Sequence, residues 1–282
     1  MTTDHRPFKQ VDVFTDRPFF GNPVAVVLDA TGLNDAEMQR FAQWTNLSET
    51  TFVLPPDDPA ASYKVRIFTP RAELPFAGHP TLGTAHAVLE AGLAAPVDGR
   101  LMQQCAVGLV EVTVAQDMRS FRLPRYAAQP APAPDDLAAA LGDAAVLKAA
   151  PQMIDVGPRW VIGELASPKA LTELTPDLAR LAAYDRRHAT TGLTLFATQG
   201  DDVCVRSFAP ADGIAEDPVC GSGNGAVAAY RLLQGAIGSG DAYVARQGRE
   251  VGRDGRIHIQ ISGGDIHVGG QCVTCISGTV RI

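Results

Sequence analysis

Val65-Arg66-Ile67-Phe68-Thr69-Pro70 returns about 140 positions later as Val205-Arg206-Ser207-Phe208-Ala209-Pro210. Glu73, Pro75, Gly78, Ala85, Leu89 and Gly92 then come back as Glu216, Pro218, Gly221, Ala228, Leu232 and Gly235. The offset there is three positions longer, because the second copy has a longer loop after its proline. Upstream, Asp12-Val13 recurs as Asp155-Val156. A repeat of this length exceeds the roughly 20–50 residues of a solenoid unit. It predicts two related domains, expected over 1–126 and 127–282, with the last strand free to pack on the first domain. Two copies turned face to face would bring their shared loops to one cleft, a common place for a small-molecule site.

Composition agrees with two domains. The chain has 282 residues, 46% hydrophobic and 20% charged, enough for an apolar core in each half. A net charge of −7 argues against a nucleic-acid partner, which needs a concentrated positive field. No apolar run approaches the about 18 residues of a membrane span, and the polar stretch Met1 to Lys9 has no apolar signal core behind it. Five cysteines suit a reducing, cytoplasmic setting better than a disulfide framework.

Periodicity and turn residues then give the elements. Phe8 to Phe14 and Ala25 to Leu28 read as strands around a Gly21-Asn22-Pro23 turn. Asn34 caps a helix, with Glu37 completing a capping box and Met38, Phe41 and Ala42 on one face. Thr51 to Leu54 and Tyr63 to Phe68 are strands, and Pro80 opens a small-residue helix that stops near Gly92. Leu109 to Val114 and Ser120 to Leu123 form a hairpin, and Pro124 to Pro134 is the expected linker. The second half repeats the order. Strands span Ile154 to Val156, Trp160 to Ile162, Leu193 to Ala197 and Val203 to Phe208. A helix from Thr175-Pro176 turns Leu178, Leu181 and Ala182 inward, and a second small-residue helix runs from Ser222 to Leu233. Ile257 to Ile261 and Gln271 to Ile276 are the closing strands. Small side chains on the repeated helix predict one wrapped closely by sheet.

Both small-residue helices begin in a glycine loop, Ala77-Gly78-His79-Pro80 and Cys220-Gly221-Ser222-Gly223. Unpaired amides and the helix dipole favour an anion there, so a substrate carboxylate is expected; the plainer reading is two tight turns. Glu49 lies between a helix and a strand, where a carboxylate facing a cleft can serve as general acid or base. Its counterpart is Gly192, so one half has the acid and the other lacks it. Asp217 reverses the pattern, since its counterpart is Leu74. His79, paired with Ser222 in the repeat, could donate to a carboxylate or carry a proton. His86 is expected to pack inward. Cys220 at a helix start could have a lowered pKa and act as base or nucleophile, although its counterpart Ala77 rules out a two-thiol pair. Cys272 and Cys275, in a strand, are expected on opposite faces as packing residues. Gly221-Ser222-Gly223-Asn224-Gly225 lacks the full order of a dinucleotide loop, and no spaced Cys/His set predicts a metal.

These residues resemble the PhzF-like family, within the diaminopimelate epimerase-like fold. The likeness runs from Val11-Asp12-Val13-Phe14-Thr15 and Gly21-Asn22-Pro23 through Ser48-Glu49-Thr50 and Phe68-Thr69-Pro70. It continues over Glu73-Leu74-Pro75-Phe76-Ala77-Gly78-His79-Pro80-Thr81 and Glu216-Asp217-Pro218-Val219. The resemblance implies an α+β protein of two pseudo-symmetric domains, each a barrel-like β-sheet around a central helix. It also implies a homodimer and no cofactor. It makes Glu49 the acid/base residue, with Asp217 and His79 beside the reaction, and Asn22, Ser48, Gly78, Gly221 and Ser222 in contact with ligand. Cys220 stands where such proteins usually carry Thr, the position of a catalytic cysteine in the related epimerases, and Gly223 stands where Ala is common.

Three functions follow as expectations. The first is a cofactor-independent isomerase that moves a proton on a small carboxylated substrate through Glu49. The second is a racemase or epimerase using Cys220 against Glu49, and the third a non-catalytic small-molecule binding protein. Phe20, Arg159 and Trp160 are candidates for shaping the substrate space.

Overall fold

The computed structural model describes residues 5–123, 125–142 and 146–282. Met1 to Asp4 and Pro124, parts of the polar amino-terminal stretch and the expected linker, lie outside the described residues. The chain divides into two units, one of Met1–Phe121 with Gly269–Ile282, the other of Arg122–Val268.

In the first unit His5–Val13 pairs antiparallel with Asn22–Val27, which runs parallel to Glu49–Leu54. That strand pairs antiparallel with Tyr63–Phe68, which takes both Glu73–Leu74 and Arg100–Cys105 on its far edge. Gly108–Ala115 and Met118–Arg122 follow as a hairpin. The 17-residue strand Asp265–Arg281 pairs with both the last of these and the first strand, closing an 8-strand barrel. The second unit repeats the pairings in the same order. Gln152–Asp155, Arg159–Glu164, Gly192–Gln199 and Asp202–Ala209 lead to Ile214–Asp217, Ala242–Gln247 and Gly255–Ser262. The fold is thus α+β, with a diaminopimelate epimerase-like pattern of pairing in both halves.

The helix Gly78–Glu90 shows why small residues were selected. Ten of its residues, from Gly78 to Val88, are buried. A Cβ on Gly83 would sit 2.4 Å from Val24 Cγ1 and 2.9 Å from Val13 Cγ2. The backbone therefore approaches the strands more closely than any side chain allows. Its counterpart, Gly221–Leu233, is buried along most of its length. Both helices stop alike, at Gly92 and Gly235, each with positive φ and each followed by an amide bonded back five residues.

Outer helices cover the sheets. Asp35–Thr45 has the predicted Asn34–Glu37 capping box, and Met38, Phe41 and Ala42 face Val27, Phe52 and Phe68. Leu178–His188 buries Leu181, Ala182 and Tyr184, but Leu178 at its first position is exposed, against expectation. Asp177, not Thr175, supplies the cap, so Leu178 is only the first helical residue and stands at the exposed end of the buried face. Two further helices, Pro134–Leu141 and Pro168–Glu173, and the strand Arg100–Cys105 escaped the sequence reading.

The expected linker also needs correction. Within it Ala127–Pro130 is a strand paired with Gln152–Asp155, and Pro134 opens a helix. Pro130 and Pro134 sit where proline costs little, at a strand end and a first helical turn. The repeated glutamates have a structural role in both units. Arg66 forms a two-pronged ion pair with Glu73, and Arg206 does the same with Glu216. The strand with Cys272 and Cys275 carries a bulge, because Ile276 pairs with Gln10 while Thr274 pairs with Val11. Cys275 is the extra residue, so the strict alternation expected between the two thiols does not hold.

Gly83→Ala is expected to destabilise the first unit by about 1–3 kcal/mol, because Val24 and Val13 are stiff strand side chains that cannot yield. Urea denaturation of the variant against the parent protein measures it.

Candidate active site

Five of the sequence-predicted residues meet in the first unit. The helix Asp35–Thr45 ends with Asn46 in the left-handed conformation, its amide returned to Ala42. That cap turns the chain sharply, and Glu49 follows as the first residue of its strand, opposite Val24. Ser48 Oγ donates to Asn22 Oδ1 at 3.4 Å, and Asn22 is buried. His79 Nε2 lies 3.4 Å from Glu49 Oε2, with both side chains largely enclosed. Gly78 opens the central helix beside it.

Electrostatics fixes what His79 can do. Burial drives its pKa down to about 3, with only partial opposition from a hydrogen bond to the Pro23 backbone. Nε2 makes no hydrogen bond to a described residue, so the Pro23 carbonyl takes the proton on Nδ1. The ring is neutral at physiological pH and presents a lone pair toward Glu49. A neutral ring offers Nε2 as an acceptor, which suits the second of the two roles expected from sequence, donating to a carboxylate or carrying a proton.

The second unit gathers Asp217, Cys220, Gly221 and Ser222 around the start of Gly221–Leu233. Asp217 accepts from the Val219 amide at 3.0 Å and from the Cys220 thiol. Desolvation is the largest influence on it and pushes its pKa up to about 6. Cys220 caps its helix, Sγ accepting the Gly223 amide at 3.2 Å. Burial, reinforced by the Asp217 charge, holds the thiol well above its ordinary pKa. The dipole of the helix start is overruled, so the lowered pKa expected from sequence does not arise.

Each helix start offers two amides. Positions one and two of a helix have no intrahelical acceptor, which in these helices are Gly78 and His79, and Gly221 and Ser222. At the third position Pro80 has no N–H, and the Gly223 N–H is already spent on Cys220. The two units reach the same donor pair by different chemistry. A carboxylate suits such a pair.

Sequence reasoning missed the braces beneath these starts. Gln247 accepts from the Cys220 amide at 3.1 Å and from Asn224 Nδ2 at 2.7 Å, and donates to the Asp217 carbonyl at 2.9 Å. In the first unit Gln103 donates to Thr81 Oγ1 at 2.9 Å and accepts from Tyr63. Thr81 and Asn224 are the fourth residues of the two helices, so the repeat itself was the available signal. Trp160 is buried, and its Nε1 donates to Ser222 Oγ at 3.0 Å.

His86, expected inside, is only partly buried and meets Thr274 Oγ1 at 3.0 Å. Among the described residues no group of three or more His, Cys, Asp or Glu is placed to hold a metal ion. Nor is any described helix long and apolar enough to cross a membrane.

Known proteins share this architecture. A family model described as phenazine biosynthesis-like protein (PhzC-PhzF) matches residues 11–278. "Antisense-enhancing sequence 1" of Schizosaccharomyces pombe is 39% identical, over 98% of this chain and 98% of its own length. Trans-2,3-dihydro-3-hydroxyanthranilate isomerase of Pseudomonas aeruginosa is 38% identical, over 90% of this chain and 89% of its own. A solved phenazine biosynthesis protein of the PhzF family from Bacillus anthracis superimposes with a TM-score of 0.86 at 24% identity, covering 99% of each chain.

Two outcomes test the second unit. Gln247→Leu removes the side-chain partner of the Cys220 amide and of the Asp217 carbonyl and one of the two acceptors of Asn224 Nδ2, and is expected to cost about 2–4 kcal/mol in denaturant unfolding. Cys220 is expected to react with iodoacetamide at pH 8 at least about tenfold more slowly than a free peptide thiol, read by mass spectrometry of the alkylated peptide.

Proposed function

The chain belongs to the phenazine biosynthesis-like family, whose relatives include named isomerases, and from that footing we propose a cofactor-independent proton-transfer reaction on a small carboxylated substrate. Glu49 is the acid/base residue. As carboxylate it takes a proton from a carbon activated by neighbouring unsaturation, and the electron pair left behind spreads along the conjugated system. As carboxylic acid it returns that proton to another carbon of the same system. The proton lost equals the proton gained, and only the double bonds have moved.

What carries this reading is the pairing of Glu49 with a neutral His79 at 3.4 Å in one unit, while the repeat position in the other unit is Gly192. Once protonated, Glu49 has the His79 Nε2 lone pair within reach as a resting place for its O–H, which keeps the proton oriented between the two transfers. The amide pair at either helix start suits an anionic group and the charge that develops on it. Asp217, raised to about 6, stands near the boundary between its two forms at neutral pH and serves to orient the substrate or assist the relay. Asn22 and Ser48 complete the ligand contacts. The substrate named for the Pseudomonas aeruginosa relative is the first to try. A homodimer in the cytoplasm is part of the same proposal.

Cys220 as base in a racemase or epimerase is the weaker reading, since its thiol is held protonated and already donates to Asp217. A purely ligand-binding protein leaves the Glu49–His79 arrangement without a task.

Glu49→Gln is expected to lower turnover of trans-2,3-dihydro-3-hydroxyanthranilate by about 10²–10⁴-fold while the fold and ligand affinity persist. In deuterated water the product should carry its label at the new carbon with the unsaturation migrated. Full activity in the variant rejects the assignment, and an inverted stereocentre with unmoved double bonds favours epimerisation.

A further inference from the structure

The two units diverge at one register position. Val24 stands opposite Glu49 in the first, and Trp160 stands opposite Gly192 in the second. A Cβ on Gly192 would fall 2.1 Å from the Phe208 carbonyl oxygen and 2.9 Å from Trp160 Cζ3. No side chain can stand there, and the indole occupies the flank that an acid would need. The ring also does more than fill space. Its Nε1–H donates to Ser222 Oγ, and Ser222 is the second residue of its helix, the position held by His79 in the first unit.

We propose that Trp160 is a positioning residue that makes the Ser222 hydroxyl a donor to the substrate's anionic group. A hydroxyl whose lone pair is occupied by an N–H must direct its own proton elsewhere. That proton rests against Cys220 Sγ, 3.6 Å away, and the Cys220 thiol proton is in turn given to Asp217. Indole, hydroxyl, thiol and carboxyl thus form a chain in which every hydrogen bond runs the same way. Sulfur is a weak acceptor and the contact is long. A carboxylate arriving at the Gly221 and Ser222 amides is a far stronger one, so the hydroxyl proton turns to it. Trp160 thereby adds a third donor to the amide pair. Histidine at the matching position of the first unit, neutral and committed to Pro23, has no such proton to give.

This role deepens the isomerase reading and rests on it. The test is steady-state kinetics with trans-2,3-dihydro-3-hydroxyanthranilate on Trp160→Phe, Ser222→Ala and the double variant. Phenylalanine keeps an aromatic ring against Gly192 and removes only the N–H. Each single change is expected to raise KM about tenfold with kcat within about twofold, the pattern of a contact equally strong in ground and transition states. The double variant should be no worse than Ser222→Ala alone. By NMR, the Trp160 indole N–H signal should shift when substrate binds the parent protein, with exposed Trp44 as internal reference. Fully additive effects, or a lower melting temperature with unchanged KM, overturn the role of Trp160 while sparing the isomerase reading. A harmless Ser222→Ala combined with loss of activity in Glu49→Gln overturns this inference alone. Harmless changes at both Ser222 and Glu49 bring down the reading beneath it.

Discussion

The near contact between each central helix and the strands around it constrains everything else. Where Gly83 meets Val13 and Val24 there is no room for a methyl group. A helix seated that tightly cannot slide or rotate without clashing, because packed interiors transmit displacement instead of absorbing it. Its first turn is therefore fixed relative to the neighbouring strand ends. Those strand ends carry Asn22 and Glu49 in one unit and Trp160 in the other. Placement of the chemistry is a by-product of packing.

On that shared frame the two units have acquired different electrostatics. The first sets a neutral imidazole beside a carboxylate, excluding a fixed positive charge that would lock the acid in its ionised form. The second has a buried thiol and a carboxyl that share one proton, beneath a hydroxyl addressed by an indole. Even the common feature, a pair of amides without an intrahelical acceptor, is reached by removing a donor with Pro80 in one case and by consuming it with Cys220 in the other. Duplication preserved geometry, and the ionisable groups then changed freely around it.

Much of the fold was legible because repeat and periodicity are backbone-level signals. The capping box at Asn34, the stops at Gly92 and Gly235 and the buried face of Met38, Phe41 and Ala42 all follow from local rules. Proline misled where it marked a strand end and a helix start instead of a linker. Leu178 misled because the helix begins at it, one turn short of the packed part of its apolar face. In the candidate site the residue types were readable, but their protonation was not. Whether His79 is neutral or Cys220 is a thiol depends on desolvation, which only three-dimensional neighbours set. Gln247 gave no local sign, and Trp160, legible as a candidate for shaping the substrate space, gave none of its bond to Ser222, since such residues acquire their partners only from what the fold brings against them.

The strand that closes the first barrel has a consequence for biosynthesis. His5–Val13 pairs on one side with Asn22–Val27, made moments later, and on the other with residues 272–281, made only after the whole second unit. The second unit, by contrast, is contiguous from Arg122 to Val268. The first unit is completed only after the second has been made, and His5–Val13 keeps one bare edge while residues 122–268 are synthesised. An unpaired edge of this kind is a template for pairing with another nascent chain. Slow elongation through residues 122–268 would therefore prolong the interval in which neighbouring polypeptides on a polysome can stick to one another.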